Sequence, residues 1–177
     1  MDPTDLTPAP RARSKGSIMA GLRYVRSRPD IILLMFLVFM LGTFGMNFQI
    51  TNALMATRIF HKGPGEYGLL GSIMAIGTLA AALIAARRTR PRLRILLSAL
   101  GGFAVFTGLL GAAPNYLVYA LILIPTGLCA LTMMTCANAT VQLASDPEVR
   151  GRVMALYMAI FMGGTPLGAP FIGWVGD

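Results

Sequence analysis

Arg87-Arg88-Thr89-Arg90-Pro91-Arg92-Leu93-Arg94 places five arginines within eight residues, between two long apolar runs that carry no charge. On an insertion scale one arginine at the bilayer centre costs roughly 2.5–3.5 kcal/mol, so five cost on the order of 12–18 kcal/mol. The stretch therefore stays in water, and short loops this basic stay on the cytoplasmic side. Pro91 opposes a helix running on through the loop. With this loop held inside, the threading of every neighbouring segment follows.

Around it, the 177-residue chain is 55% hydrophobic and 12% charged, with a mean hydropathy of +0.68. Soluble domains average about 25% charged residues, and a membrane span needs about 20 apolar residues at 1.5 Å each. The composition is that of an all-α polytopic membrane protein. The net charge of +8 sits in loops beside apolar runs, so its expected partner is the bilayer with its anionic inner leaflet, not nucleic acid. Cys129 and Cys136 lie about 10.5 Å apart along one helix, too far for a bridge, and read as buried thiols. No His/Asp/Glu cluster at ligand spacing, Ser–His pair or phosphate loop is visible, so no enzyme, cofactor, metal or catalytic residue is expected. The first seventeen residues hold no apolar core of a secretory signal.

Residues 1–16, with three prolines, read as a cytoplasmic linker. Residues 17–29 read as an amphipathic interfacial helix: Ile18, Leu22 and Val25 recur at helical spacing, and Arg23, Arg26 and Arg28 point elsewhere. Pro29 suits a first helical turn, and Asp30 suits its positive dipole end. Residues 30–177 form the transmembrane domain, with five spans at about 31–50, 67–86, 95–112, 116–144 and 153–175. In the first, Thr43, Asn47 and Thr51 share a face, and Gly45, Gln49 and Asn52 share another. An amide in hydrocarbon needs a partner or a wet cavity, so these groups are either helix–helix glue or the lining of a substrate path. His61 and Glu66 flank the external Gly63-Pro64-Gly65 turn, as solvated loop groups or as a proton relay.

The second span carries a small-residue stripe, Gly71, Ala75, Thr78 and Ala82. The third repeats it with Ala104, Gly108 and Ala112, each stripe expected to admit a close neighbour. The fourth is about 43 Å long if straight, with Pro125 its natural hinge. Thr132, Thr135, Asn138 and Gln142 fall within about 120° of one another on it at 100° per residue. Ser145 to Glu148 fits a capping box. Gly163-Gly164, Pro166, Gly168 and Pro170 predict an interruption of the fifth span. Only Arg58 and Lys62, of 15 Lys and Arg, fall in predicted outside segments, which puts the amino end inside and the carboxyl end outside.

Three stretches resemble the second half of a major facilitator superfamily transporter. Gly21-Leu22-Arg23-Tyr24-Val25 with Arg28-Pro29 is similar to the end of the central cytoplasmic loop. Glu66-Tyr67-Gly68-Leu69-Leu70 is similar to the start of the eighth helix, and Pro147-Glu148-Val149-Arg150-Gly151-Arg152-Val153 to the loop before the eleventh. Together they resemble the enterobactin-exporter-like branch of multidrug and siderophore exporters, as a partial half-bundle of helices seven to eleven. The resemblance implies alternating access between two six-helix halves, efflux of a small-molecule substrate, and residence in the inner (plasma) membrane. It implies a partner in the missing amino-terminal half, of which this chain would be a fragment. It also implies that the first and fourth spans line the path, with Arg87, Arg88, Arg150, Gly151 and Arg152 as gating-loop residues. The superfamily's aspartate before the basic loop is absent, since Ala85 and Ala86 stand there. The alternative reading is a small non-transporting membrane scaffold or assembly protein complete at this length.

Overall fold

The computed structural model describes residues 18–45, 47–88 and 92–175, all helix, turn or loop. The linker 1–16 and the Thr89-Arg90-Pro91 centre of the basic loop lie outside the described residues. Seven α-helices follow in chain order: α1 Ile18–Arg26, α2 Pro29–Met40, α3 Phe48–Leu54, α4 Pro64–Ala86, α5 Leu93–Gly111, α6 Tyr116–Ala144 and α7 Arg150–Val175. Two π-helical turns, Leu41–Gly45 and Met55–Ile59, follow α2 and α3.

The first membrane-crossing unit is therefore longer than the polar pattern suggested. It runs from Pro29 to Ile59, 31 residues, past the expected end at 50. Pro29 sits in its first turn as expected. Arg28 grips Asp30 through two bonds of 3.1 and 2.9 Å, and that bonded carboxylate holds the guanidinium above its ordinary pKa. Helices α4, α5 and α6, with 23, 19 and 29 residues, are each long and apolar enough to cross a bilayer. Helix α7, of 26 residues, runs unbroken through Pro166 and Pro170, so the expected interruption does not occur. Each proline deletes one ladder bond. At 100° per residue both prolines face away from Gly164 and Gly168, and both are exposed while the glycines are buried.

Water drives no helix association inside lipid, so close van der Waals approach must do it. Two glycine contacts supply that approach. Helices α4 and α6 cross where a Cβ on Gly77 would collide with the Ile124 carbonyl, and one on Gly127 would lie 2.6 Å from the Met74 carbonyl oxygen. Helix α7 meets the first π turn where a Cβ on Gly164 would lie 2.9 Å from the Thr43 nitrogen, and one on Gly168 would collide with the Thr43 carbonyl. The small-residue stripes singled out in the sequence are used differently. Gly71, Ala75, Ala82, Ala104, Gly108 and Ala112 are exposed, and α4 instead packs through Leu70, Gly77 and Ala81. The difference is register: the face of α4 that meets α6 carries Leu70, Gly77 and Ala81, one face round from the predicted stripe.

The core falls into two clusters. One lies toward the arginine-bearing loops, built on Ile31, Val38, Leu96, Met133, Val141, Val153 and Tyr157. The other lies toward the opposite end, built on Phe48, Leu70, Leu110, Tyr119 and Leu123. Cys129 and Cys136 are buried free thiols, as expected. Ser145 does not cap the next helix. Its hydroxyl donates back to the Val141 carbonyl at 2.7 Å, so it closes α6, and α7 begins only at Arg150. The Asp146 carbonyl accepts from the amides of Val149 and Arg150 and makes the turn between them.

Candidate functional site

The break in the first unit begins with sequence. Gly42 and Gly45 bracket the π turn, and the Thr43 hydroxyl donates to the Phe39 carbonyl at 2.8 Å, a back-bond that bends helices. Asn47 follows in a non-helical conformation. Its side-chain amide donates to the Thr43 carbonyl at 2.6 Å, filling an acceptor that the broken ladder leaves open. Thr43 and Asn47 are 8% and 3% exposed, and they lie under Gly164 and Gly168 of α7. The structure thus places both in a helix–helix contact.

Gln49 is different. It is exposed and lines a cleft of about 430 Å³ with Phe48, Asn52, Tyr67, Gly71, Met74 and Thr78. Gly71 and Ala75 of the α4 stripe, both exposed, form one wall of this cleft with Thr78, whose methyl also reaches Gly127 of α6. Its floor is braced by a bond the sequence did not reveal: the Tyr119 hydroxyl donates to the Asn52 side-chain oxygen at 2.8 Å, both residues buried. Phe60 packs edge-on against Tyr119 and Tyr116, with ring centroids 5.6 and 6.0 Å apart. The Tyr116 hydroxyl donates to the Glu66 carbonyl at 2.7 Å. A tyrosine three residues from another on a span end was the available signal, because Tyr hydroxyls buried in helices require acceptors.

Glu66 is committed as a cap: its carboxylate accepts from the Gly63 amide at 3.1 Å. His61 is exposed at a positive φ of 51°, a turn position. The pair therefore serves the 60–64 turn.

On α6, Thr132 is buried, Thr135 and Asn138 are half-buried, and Gln142 is exposed. Gln142 donates to the Asn138 side-chain oxygen, and the Thr135 hydroxyl bonds back to the Leu131 carbonyl at 2.8 Å. The periodicity placed these four on one face, and their bonds stay within α6. Pro125 lies beside the Gly77–Gly127 crossing, and α6 remains continuous through it. Arg87 and Arg88 are exposed after α4, Gly151 is exposed, and Arg152 is half-buried. Arg150 donates to the Ser145 carbonyl at 3.4 Å.

Tyr157 on α7 is a further residue the sequence did not single out. It is fully buried, and its hydroxyl has no hydrogen-bond partner. Asn138 lies close to it without meeting hydrogen-bond geometry. A desolvated, unpaired hydroxyl costs about 1–3 kcal/mol. Tyr157→Phe should therefore leave stability unchanged or raise it by about 1 kcal/mol, a gain of roughly 2–4 °C in a thermal melt in detergent. A clear fall in melting temperature would show that the hydroxyl has a partner after all.

Among the described residues no group of three or more His, Cys, Asp or Glu is placed to hold a metal ion. Among the described residues, four helical units are long and apolar enough to cross a membrane, as in a multi-pass membrane protein. Over residues 4–177 the chain matches the family described as "Transmembrane secretion effector". It belongs to that family, a branch of the major facilitator superfamily of transporters. No curated protein and no solved structure matches it.

Proposed function

We propose that the chain is the carboxyl-terminal half-bundle of a secondary-active exporter in the enterobactin-exporter-like branch. It moves a small molecule, a drug or siderophore, by alternating access, and it acts as a transporter and not as an enzyme. Its residence is the inner (plasma) membrane, with the amino end cytoplasmic and the carboxyl end external. An amino-terminal half-bundle packs over the α3–α4 cleft and the exposed leucines of α4, Leu69, Leu79 and Leu83. The observation that carries this reading is the cleft itself. It is concave, its walls are aromatic and small, and its lining includes the amides Gln49 and Asn52 and no charged residue. Such a lining suits a neutral or amphipathic guest. The polar face of α6, Thr132 to Gln142, lines the path beside the cleft.

The test is efflux of a fluorescent hydrophobic dye from a sensitised host that expresses the chain with its flanking reading frame. Gln49→Trp, which fills the cleft, should lower efflux about tenfold, equivalent to ~1.4 kcal/mol, at unchanged abundance in the membrane. Asn138→Leu should lower it severalfold. Efflux at the parent level in both variants would return these amides to the packing of a non-transporting protein.

A further inference from the structure

We infer that α1 senses anionic phospholipid: Leu22, Arg23 and Arg26 seat on it, and Tyr24 transmits the seating to the α6–α7 turn. At 100° per residue, Gly21, Tyr24 and Val25 fall on one face of α1, and Leu22, Arg26 and Arg23 fall on the opposite one. The first face is docked. Gly21 is buried with its Cβ position 3.1 Å from the Cβ of Arg152, and Val25 is 6% exposed in the core. The Tyr24 hydroxyl donates to the Ala144 carbonyl at 3.4 Å and accepts from the Asp146 amide at 3.3 Å. It thus joins the last carbonyl-bearing turn of α6 to the first residue of the following turn. Both bonds are long, and a latch made of them is easily released.

The second face is free. Leu22 is 48% exposed at the edge of this face, beside the exposed Arg26 and Arg23. Arg28 pairs with Asp30, and neither Arg23 nor Arg26 joins an ion pair among the described residues, so both keep their charge for a partner. An exposed apolar side chain beside exposed cations is the pattern of a helix at the headgroup–acyl boundary, where phosphate meets the arginines and the acyl edge meets leucine. A free phosphate would leave Leu22 without a role. The occupant is therefore the anionic lipid surface. Pulling α1 toward that surface tightens or loosens the Tyr24 latch, and with it the turn that joins the two longest helices.

This inference rests on the interfacial placement of α1 and not on the substrate or direction of transport. The test uses the full chain in nanodiscs of phosphatidylcholine alone or mixed with phosphatidylglycerol. Both leaflets then have one composition, so topology does not enter. Amide hydrogen exchange over residues 144–150 should change severalfold between the two lipids. In native mass spectrometry, lipid retention should fall about fivefold for each arginine replaced in Arg23→Gln and Arg26→Gln, and the exchange difference should vanish in the double variant. Tyr24→Phe should keep the retained lipid and lose the exchange difference. Arg92→Gln, at the same end just before α5, should keep both. Equal exchange in the two lipids, a double variant that responds like the parent, loss of the response in Arg92→Gln, or inorganic phosphate reproducing it in phosphatidylcholine would each overturn the proposal.

Discussion

Gly168→Leu should separate α7 from the first membrane unit and lower the melting temperature of the purified chain by about 6–12 °C. That range corresponds to a loss of ~3 kcal/mol. A Cβ at this position collides with the Thr43 carbonyl and comes within 2.6 Å of the Asn47 side-chain nitrogen. The obstacle is backbone, held in place by the Asn47-to-Thr43 bond, so no side-chain rotation relieves it. Moving the helices apart forfeits the close approaches of Gly164 and Gly168 together. In lipid no hydrophobic term restores the loss, because lipid tails contact the parted surfaces as well as the helices did. Gly108→Leu is the matched control: nothing lies within 4 Å of its Cβ position, and leucine gains helix propensity over glycine, somewhat less than the roughly 0.8–1.0 kcal/mol by which alanine exceeds it. Its melt should stay level or rise. Equal melting of the two variants would show that α7 does not rest on Thr43.

The same two glycines mark where sequence reasoning succeeds and where it stops. Helix existence was legible, because long uncharged apolar runs bounded by arginines admit few other structures, and α4, α5 and α6 appear where the pattern placed them. Helix phase was not. Gly71, Ala75, Ala104 and Gly108 satisfy a small-residue spacing as well as Gly77 does, and only the neighbours' bulk decides which one meets a backbone. Among the amides, helical spacing put Asn47 and Gln49 on different faces but did not say which face meets another helix: the structure sets Asn47 beneath α7 and Gln49 in the cleft. A π turn is a local exchange of ladder partners driven by tertiary fit, and no periodicity announces it. Tyr119 and Tyr157 were missed for a related reason: whether a buried hydroxyl bonds an amide or stands alone depends on a second helix.

Replacing Arg87, Arg88, Arg90, Arg92 and Arg94 together by glutamine should free the α4–α5 hairpin from its side of the membrane. With arginine present, carrying this loop through the bilayer costs on the order of 12–18 kcal/mol, far beyond what any packing contact in the bundle can return. Alkaline phosphatase fused at Thr89 should accordingly be inactive in the parent chain, while the same fusion at Lys62 should be active. In the five-glutamine chain the fusion at Thr89 should gain phosphatase activity severalfold, because the remaining desolvation cost falls within reach of the apolar gain of α4 and α5. The rest of the chain resists full inversion, since Arg23, Arg26, Arg28, Arg150 and Arg152 still gather at the ends of α1 and α7. A mixed population, with both fusions partly active, is therefore the expected result. High phosphatase activity at Thr89 in the unaltered chain would reverse the threading, and the exposed arginines of α1 would then face the outer leaflet.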